Sequence, residues 1–232
     1  MAQWSEPERI AAYYEGQADR YDAVMEGDPH NARVRDAFRT LVASMVPAAG
    51  RLLDFGCGTG VDARWYAARG YPVVAYDPAR RMIAQASTRC AREIMAGQIE
   101  AVTFPFAEFP HALPAHAGFD AIVTNFAVLN LLSDLRELFE GFARVVVPGG
   151  LVIANVLSPV HWRDLRYGWW WRGLLGSVGT GTLSVRWPET STHRHFMPTI
   201  ARAAAPAFTV VERRDHDGRF GQFRFLVLRR AT

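Results

Sequence analysis

The sequence predicts an α/β fold: a doubly wound, mostly parallel seven-stranded sheet with helices on both faces, an antiparallel hairpin strand at the C-terminus and an aromatic-rich insertion after the fifth strand. Three observations predict it. Short apolar runs alternate with stretches of helical periodicity between residues 51 and 157. Those runs lack the polar alternation of a half-exposed strand, as parallel strands covered on both faces do. The last two runs are joined by a short polar loop and therefore pair antiparallel.

The elements follow in order. Ile10, Tyr13, Tyr14, Tyr21, Val24 and Met25 recur at helical spacing, and Val34, Phe38, Leu41, Val42 and Met45 resume it after a break at Gly27-Asp28-Pro29. Arg51 to Phe55 is a short buried strand ended by glycines at 56, 58 and 60. Val61 to Arg69 is a helix, and Tyr71 to Tyr76 a second strand stopping at Asp77. A helix over Ala79 to Ala96 leads to a weak strand, Ile99 to Phe104. Phe119 to Thr124 is a strand, Ser133 to Val145 a helix, Pro148-Gly149-Gly150 a turn and Leu151 to Leu157 a strand. Phe208 to Arg213 and Gln222 to Arg229 form the closing hairpin across the loop Asp215 to Gly221. The chain divides into an N-terminal helical lid (1–46), a cofactor-binding core (47–157), a cap or substrate insertion (158–198), and a C-terminal helix with the last two strands of the sheet (199–232).

Leu53-Asp54-Phe55-Gly56-Cys57-Gly58-Thr59-Gly60 lies between a strand and a helix. Glycines there let the backbone turn tightly and approach a ligand, and the helix N-terminus offers free N–H groups. A carboxylate ending the next strand, about 20 residues on, can hold two ribose hydroxyls, and Asp77 stands at that place. The spacing is G-x-G-x-G, not the G-x-G-x-x-G of dinucleotide enzymes, with Asp54 just ahead of it.

This D-x-G-C-G-T-G resembles the class I, Rossmann-like S-adenosylmethionine-dependent methyltransferases, and the resemblance runs through most of residues 13 to 157. It implies S-adenosyl-L-methionine as cofactor and S-adenosyl-L-homocysteine as product. It also implies that Asp54, Gly56, Cys57, Gly58 and Gly60 face the methionine part of the cofactor, that Asp77 binds the ribose, and that Met82 packs on the adenine. Asn125 matches the segment beside the methyl-transfer centre. Tyr14-x-x-x-Ala18-x-x-Tyr21-Asp22 is similar to the family's entry helix, whose aromatic residues help close the site, and Arg33 or Arg35 would pair with the cofactor carboxylate. Relatives carry an acid after strand three that accepts from the adenine amino group; Phe106 stands there, followed by Ala107 and Glu108. Either Glu108 takes that role or the Ala107 backbone holds the adenine alone.

Composition excludes other chemistries. All 26 basic residues are arginine, so neither a Walker-type phosphate loop nor a Schiff-base lysine is available. Two cysteines, Cys57 and Cys90, are too few for a secreted disulfide scaffold, and Cys57 reads as a small packing residue. MAQWSEPERI has no apolar stretch behind it, and no run approaches the roughly 20 residues that span a bilayer. The chain therefore reads as cytoplasmic, without stable membrane insertion. His193-x-His195 lacks the Cys or acidic companions of a zinc site, so no metal is expected.

The insertion is distinctive. Trp162, Trp169, Trp170, Trp171 and Trp187 are five of the seven tryptophans. Residues 158 to 187 also hold Arg163, Arg166, Arg172 and Arg186 against Asp164 alone. Three readings stand: core and loop packing, a cap over the substrate using Trp162, Trp169 and Trp171, or a Trp/Arg surface touching membrane. Burial against a second subunit would make a homodimer. His161, His193 and His195 are candidate bases, since imidazole titrates near neutral pH. The aromatic cap suggests O-methylation of a hydrophobic aromatic or lipid-like small molecule. Carboxyl methylation of a carrier-bound acyl chain is a second reading, and a non-catalytic cofactor-binding regulator a third. A nucleic-acid substrate is not expected: residues 124–130 lack the N/D-P-P-Y/F signature and no broad basic face is visible.

Overall fold

A computed structural model describes residues 5–113, 118–187 and 189–232. The first four residues of the expected lid, and Pro188 of the expected insertion, lie outside the described residues. The chain opens with two helices, α1 (Glu6–Glu26) and α2 (Pro29–Met45). The start of α1 is fixed reciprocally: Ser5 Oγ accepts from the Glu8 amide while the Glu8 carboxylate accepts from the Ser5 amide at 2.7 Å. The predicted break is real. Gly27 caps α1, and Asp28 caps α2 by accepting from the His30 amide at 2.8 Å ahead of Pro29.

The main sheet contains β1 (Leu52–Phe55), β2 (Val73–Tyr76), β3 (Ile99–Val102), β4 (Phe119–Thr124), β5 (Val146–Leu157), β8 (Phe208–Asp215) and β9 (Phe223–Arg230). Its order is β3-β2-β1-β4-β5-β9-β8, with β9 antiparallel to both neighbours and the remaining pairs parallel. Five helices connect these strands: α3 (Val61–Ala67), α4 (Arg80–Arg89), α5 (Ala91–Met95), α6 (Arg136–Val145) and α8 (Met197–Ala204). The insertion after β5 holds α7 (Gly168–Gly176) and a separate antiparallel hairpin, β6 (Thr182–Arg186) with β7 (Ser191–His195).

Strand alternation sorts the core into two layers. Leu53, Phe55, Val74, Tyr76, Ile122 and Val152 pack with Phe139 and Phe142 of α6 and Ile200 of α8. Leu52, Val73, Ala75, Ala121, Val123 and Ile153 face the opposite way, onto Phe38 and Leu41 of α2 and Tyr66 of α3. Helices thus cover both faces, as the apolar strands require.

Three boundaries differ from the sequence reading. The helix expected over 79–96 is two helices, broken at Cys90 with ψ of 16°. The helix expected from Ser133 starts at Arg136. The Pro148-Gly149-Gly150 turn is an irregularity within β5: Val146 pairs with Phe119 but Leu151 with Ala121, so the residues between bulge out of register.

Candidate functional site

The strand order reverses between β1 and β4, and an open sheet forms its crevice at the carboxyl ends of the strands flanking such a reversal. Here the glycine loop after β1, Asp77 after β2 and Asn125-Phe126 after β4 converge under α1. They line a crevice of about 750 Å³ that is open to solvent. Pro7, Ile10, Ala11, Tyr14 and Tyr21 line it from α1, at the three- and four-residue spacings of one helical face. The helix is tied down along its length. Glu6 accepts from the amide and hydroxyl of Ser133, both at 2.8 Å, and Asp19 pairs with Arg81 at 2.6 Å. Asp22 accepts from the Thr59 hydroxyl at 2.6 Å and pairs with Arg89, whose Nε donates to the Thr59 carbonyl. The roof is therefore bonded directly to the glycine loop.

Gly56, Gly58 and Gly60 all have left-handed φ, at +74°, +55° and +80°, where a side chain strains the backbone. Their surroundings differ. A Cβ on Gly58 would meet only Tyr21 Cε1, at 3.6 Å, so the space above this residue is open to a ligand. A Cβ on Gly60 would press on Ala86 Cβ at 3.0 Å and Cys90 Sγ at 3.1 Å, so that glycine lets α3 and α4 approach. Gly58 N donates to Asp77 Oδ2 at 3.0 Å and Ala79 N to Oδ1 at 2.9 Å, which fixes the carboxylate and leaves lone pairs facing the cavity. Burial raises the Asp77 pKa to about 6, the two amides opposing and Glu15 adding to the rise.

A smaller cavity of about 330 Å³ shares Tyr21, Gly56, Asn125 and Phe126 with the first and reaches Arg35, Asp54 and Asp62. Asp62 is its hub: it accepts from Arg39 Nε at 2.7 Å, Asn125 Nδ2 at 3.0 Å and Arg35 Nη1 at 3.4 Å. Asn125 Oδ1 in turn accepts from Asn155 Nδ2 at 2.8 Å and the Phe126 amide at 2.9 Å. Asp54 is 2% exposed, and its Oδ2 has no hydrogen-bond partner among the described residues. Desolvation lifts its pKa well above the carboxylate range, and Asp62 lifts it further while Arg35 opposes. Phe126 and Ala127 both hold positive φ, 52° and 65°, a strained pair beside the cavity.

Most residues singled out for cofactor contact meet here. Tyr14, Tyr21, Gly56, Gly58, Asp77, Met82, Phe106 and Asn125 line the larger cavity, and Asp54 and Cys57 the smaller. Burial and the neighbouring carboxylates hold the Cys57 thiol protonated. Four expectations need correction. Gly60 lines neither cavity, because its role is helix packing. Arg33 is exposed, while Arg35, two residues and roughly 200° around the helix, reaches Asp62. Ala107 and Glu108 are exposed and line neither cavity.

The fourth correction concerns the insertion. His161, His193 and His195 do not line the larger cavity, and burial depresses all three pKa values. His161 lies 3.7 Å from Asp164. His193 bonds Ser184 Oγ at 2.8 Å and lies 3.1 Å from Glu6. Both His195 nitrogens are engaged, with Thr182 Oγ1 and the Leu132 carbonyl, each at 2.9 Å. Trp162 and Trp171 are 59% and 54% exposed, and Trp169 lines an outer groove with Arg172. Only their neighbour Trp170 is buried, donating to the Pro159 carbonyl. The sequence reading missed Phe126, Val128, Leu131 and Leu132, which complete the cavity wall; they sit in and beside the 3-10 turn Val128–Leu131, which is too short for a periodicity to mark it. The 7/10/11/14 spacing of α1 was the available signal for Pro7, Ile10 and Ala11.

The sequence pattern of a methyltransferase-domain family matches residues 30–203. The chain is 33% identical, over 161 residues, to the malonyl-[acyl-carrier protein] O-methyltransferase of Salmonella typhimurium, covering 69% of this chain and 58% of that one. It is 32% identical, over 164 residues, to the demethylmenaquinone methyltransferase of Paenarthrobacter aurescens, covering 68% and 60%. The chain thus spans less than two thirds of these relatives. Its fold superposes with a TM-score of 0.71, at 13% identity and over 100% and 93% of the two chains, on the Burkholderia thailandensis 1,6-didemethyltoxoflavin-N1-methyltransferase solved with 1,6-didemethyltoxoflavin and S-adenosylhomocysteine.

The hub makes a specific stability prediction. Asp62→Ala leaves two buried guanidinium groups and an amide without their acceptor, and unfolding free energy is expected to fall by about 3–5 kcal/mol. Denaturant titration reads this as a lower midpoint at unchanged slope; a loss below about 1 kcal/mol would contradict the hub.

Proposed function

The chain belongs to the class I S-adenosylmethionine-dependent methyltransferases, and we propose that it transfers a methyl group from S-adenosylmethionine to an oxygen of a hydrophobic small molecule. One observation carries this reading: alongside Asp77, Gly58 and Asn125, the larger cavity is lined by a set of apolar side chains, Ile10, Phe126, Val128, Leu131 and Leu132.

The residues present fit the cofactor. The fixed Asp77 carboxylate suits a vicinal diol, and Met82 and Phe106 suit a flat base. The unpartnered Asp54 oxygen suits an ammonium, and Arg35, at the mouth of the same small cavity, suits a carboxylate. When bound, S-adenosylmethionine supplies a methyl group on a sulfonium, already a strong electrophile. What remains for the protein is to align the acceptor and exclude water, which is where most of the acceleration in such a transfer originates. The bonded roof of α1 serves as the lid.

The titratable side chains of the larger cavity are Asp77, Tyr14, Tyr21 and Tyr76, and burial raises all three phenol pKa values. None of these phenols acts as a base near neutral pH, so the acceptor oxygen arrives ionised or loses its proton to water. This favours an acidic hydroxyl or a carboxylate, and with the latter the second reading, methylation of an acyl chain on a carrier. The names of the two curated relatives, one an O-methyltransferase of a carrier-bound malonyl group and one a methyltransferase of demethylmenaquinone, support an apolar or chain-like acceptor.

Binding of S-adenosylhomocysteine by calorimetry tests the cofactor site. Charged hydrogen bonds contribute roughly 1.5–3 kcal/mol, so Asp77→Ala is expected to weaken binding at least about tenfold. The ionised carboxylate is the form that accepts both hydroxyls, so wild-type affinity is expected to hold above pH 6 and fall as pH drops through the Asp77 pKa of about 6. Asp77→Asn should flatten that profile; an unchanged profile would remove Asp77 from the ribose.

Transfer itself is read with methyl-labelled S-adenosylmethionine against acidic phenols and fatty acids. Label is expected in the organic phase as an ether or ester. Tight cofactor binding with no transfer to either class would instead favour a binding protein without turnover.

A further inference from the structure

Apart from the buried Trp170, several large apolar residues of the insertion face outward. Along α7 and its C-terminal turn, Trp171, Leu175 and Val178 fall at i, i+4 and i+7 and are 54%, 75% and 80% exposed. Trp171 Nε1 donates to the Leu165 carbonyl at 2.9 Å, which anchors the indole beside a second exposed apolar residue. The Trp162 amide donates to the Phe220 carbonyl at 3.2 Å and brings together two more exposed rings, from the insertion and the β8–β9 loop. Large apolar side chains exposed together along one helix face mark an interaction site.

Its charges are mainly basic, although Asp134 shares a groove with Arg172 and Asp217 stands two residues from Arg219. Arg163, Arg166, Arg172 and Arg219 are exposed around it, and none has an acidic partner among the described residues. Three of them lie over rings of the patch itself or its rim: Arg163 over Trp162, Arg166 over Tyr167 and Arg219 over Phe220, at 5.2, 4.9 and 5.6 Å. The only acid between residues 158 and 187, Asp164, is buried and held by Arg194.

We propose that this face docks the protein on an anionic lipid bilayer, with Trp171, Leu175 and Val178 at the headgroup–acyl boundary and the arginines against lipid phosphates. Trp and Tyr settle at that boundary because their rings are apolar and their N–H or O–H groups polar, and each basic residue near an anionic surface adds attraction. No helix among the described residues is long and apolar enough to cross a membrane, so the contact is peripheral. A second copy is a poorer occupant, because pairing this face with itself would set unpaired arginines against one another. An acidic protein would meet the arginines but leave Leu175 and Val178, the most protruding residues, without an apolar counterpart. The inference does not depend on the methyl-transfer reading, since its test is binding alone.

Co-sedimentation of the full chain with phosphatidylcholine vesicles, with and without about one third phosphatidylglycerol, tests it. The protein is expected to pellet with the anionic vesicles, to be released by high salt, and to show a blue shift of tryptophan emission on binding. Arg166→Glu with Arg172→Glu should weaken binding at least about tenfold. Leu175→Ser, at a position 75% exposed, should weaken binding and leave the melting temperature unchanged. Wild-type protein remaining in the supernatant with anionic vesicles would overturn the proposal and favour an acidic protein partner. Equal pelleting of wild type and both variants would overturn it too. Lipid-free sedimentation velocity should show a monomer; a dimer broken by Leu175→Ser would assign the face to a second copy instead.

Discussion

The molecule's chemistry depends on a constraint of chain path: β1 and β4 lie side by side, yet the chain continues from them toward opposite edges of the sheet. The register Leu52↔Ala121 and Asp54↔Val123 brings their carboxyl ends level. Nothing in the sheet can fill the gap above them, so the loops that follow must line it. Strand alternation then decides which side chain goes where. Phe55 turns into the aromatic layer against Phe142, its ring centroid 5.1 Å away, and Asp54 turns the other way, toward α2 and α3. A carboxylate is thereby forced into a buried position that it would avoid on its own account.

The surroundings only partly compensate it. Arg35 and Arg39 are close, but both bind Asp62, and Asp54 keeps an oxygen without a hydrogen-bond partner among the described residues. Beside it, Phe126 and Ala127 hold left-handed backbone, and Asn155 Oδ1 and Thr124 Oγ1 are also unpartnered. Such local costs persist where the surrounding structure overdetermines them, and here the surroundings are well satisfied: the Asp62 hub, the Asn125–Asn155 bond and the ties from α1 to the glycine loop. Local strain concentrated at one crevice, with a rigid network behind it, is the pattern of a binding site more than of a folding defect.

How far the sequence reveals this depends on whether the signal is local. The strands were legible because parallel strands buried on both faces are apolar throughout, and Asp77 because it stops such a strand at a fixed distance from the glycines. Arg35 was distinguishable from Arg33 only once the rotation of α2 was known. The hairpin of β6 and β7 is hard to see in sequence because both strands are only five residues long and STHRH has no apolar residue, leaving Leu183 and Val185 of TLSVR as the one weak alternation. His193 and His195 are candidate bases in sequence because imidazole titrates near neutral pH; in the structure they share a face of β7, which is held to residues 130–132 by Asn130, donating to the His193 carbonyl, and by the His195 ring on the Leu132 carbonyl. The tryptophans cannot be sorted from sequence. Composition shows that they cluster, but only tertiary structure shows that Trp170 turns in while Trp162 and Trp171 turn out.

The central claim is that the crevice between β1 and β4 holds the cofactor with its ribose on Asp77 and its sulfur toward the apolar side chains of the lining. A crystal structure with S-adenosylhomocysteine tests it most directly. The account predicts both ribose hydroxyls within hydrogen-bonding distance of Asp77, the amino group on Asp54, and the sulfur facing the space bounded by Ile10, Phe126 and Leu131. Electron density for the nucleoside anywhere else, or with the ribose turned away from Asp77, would contradict it.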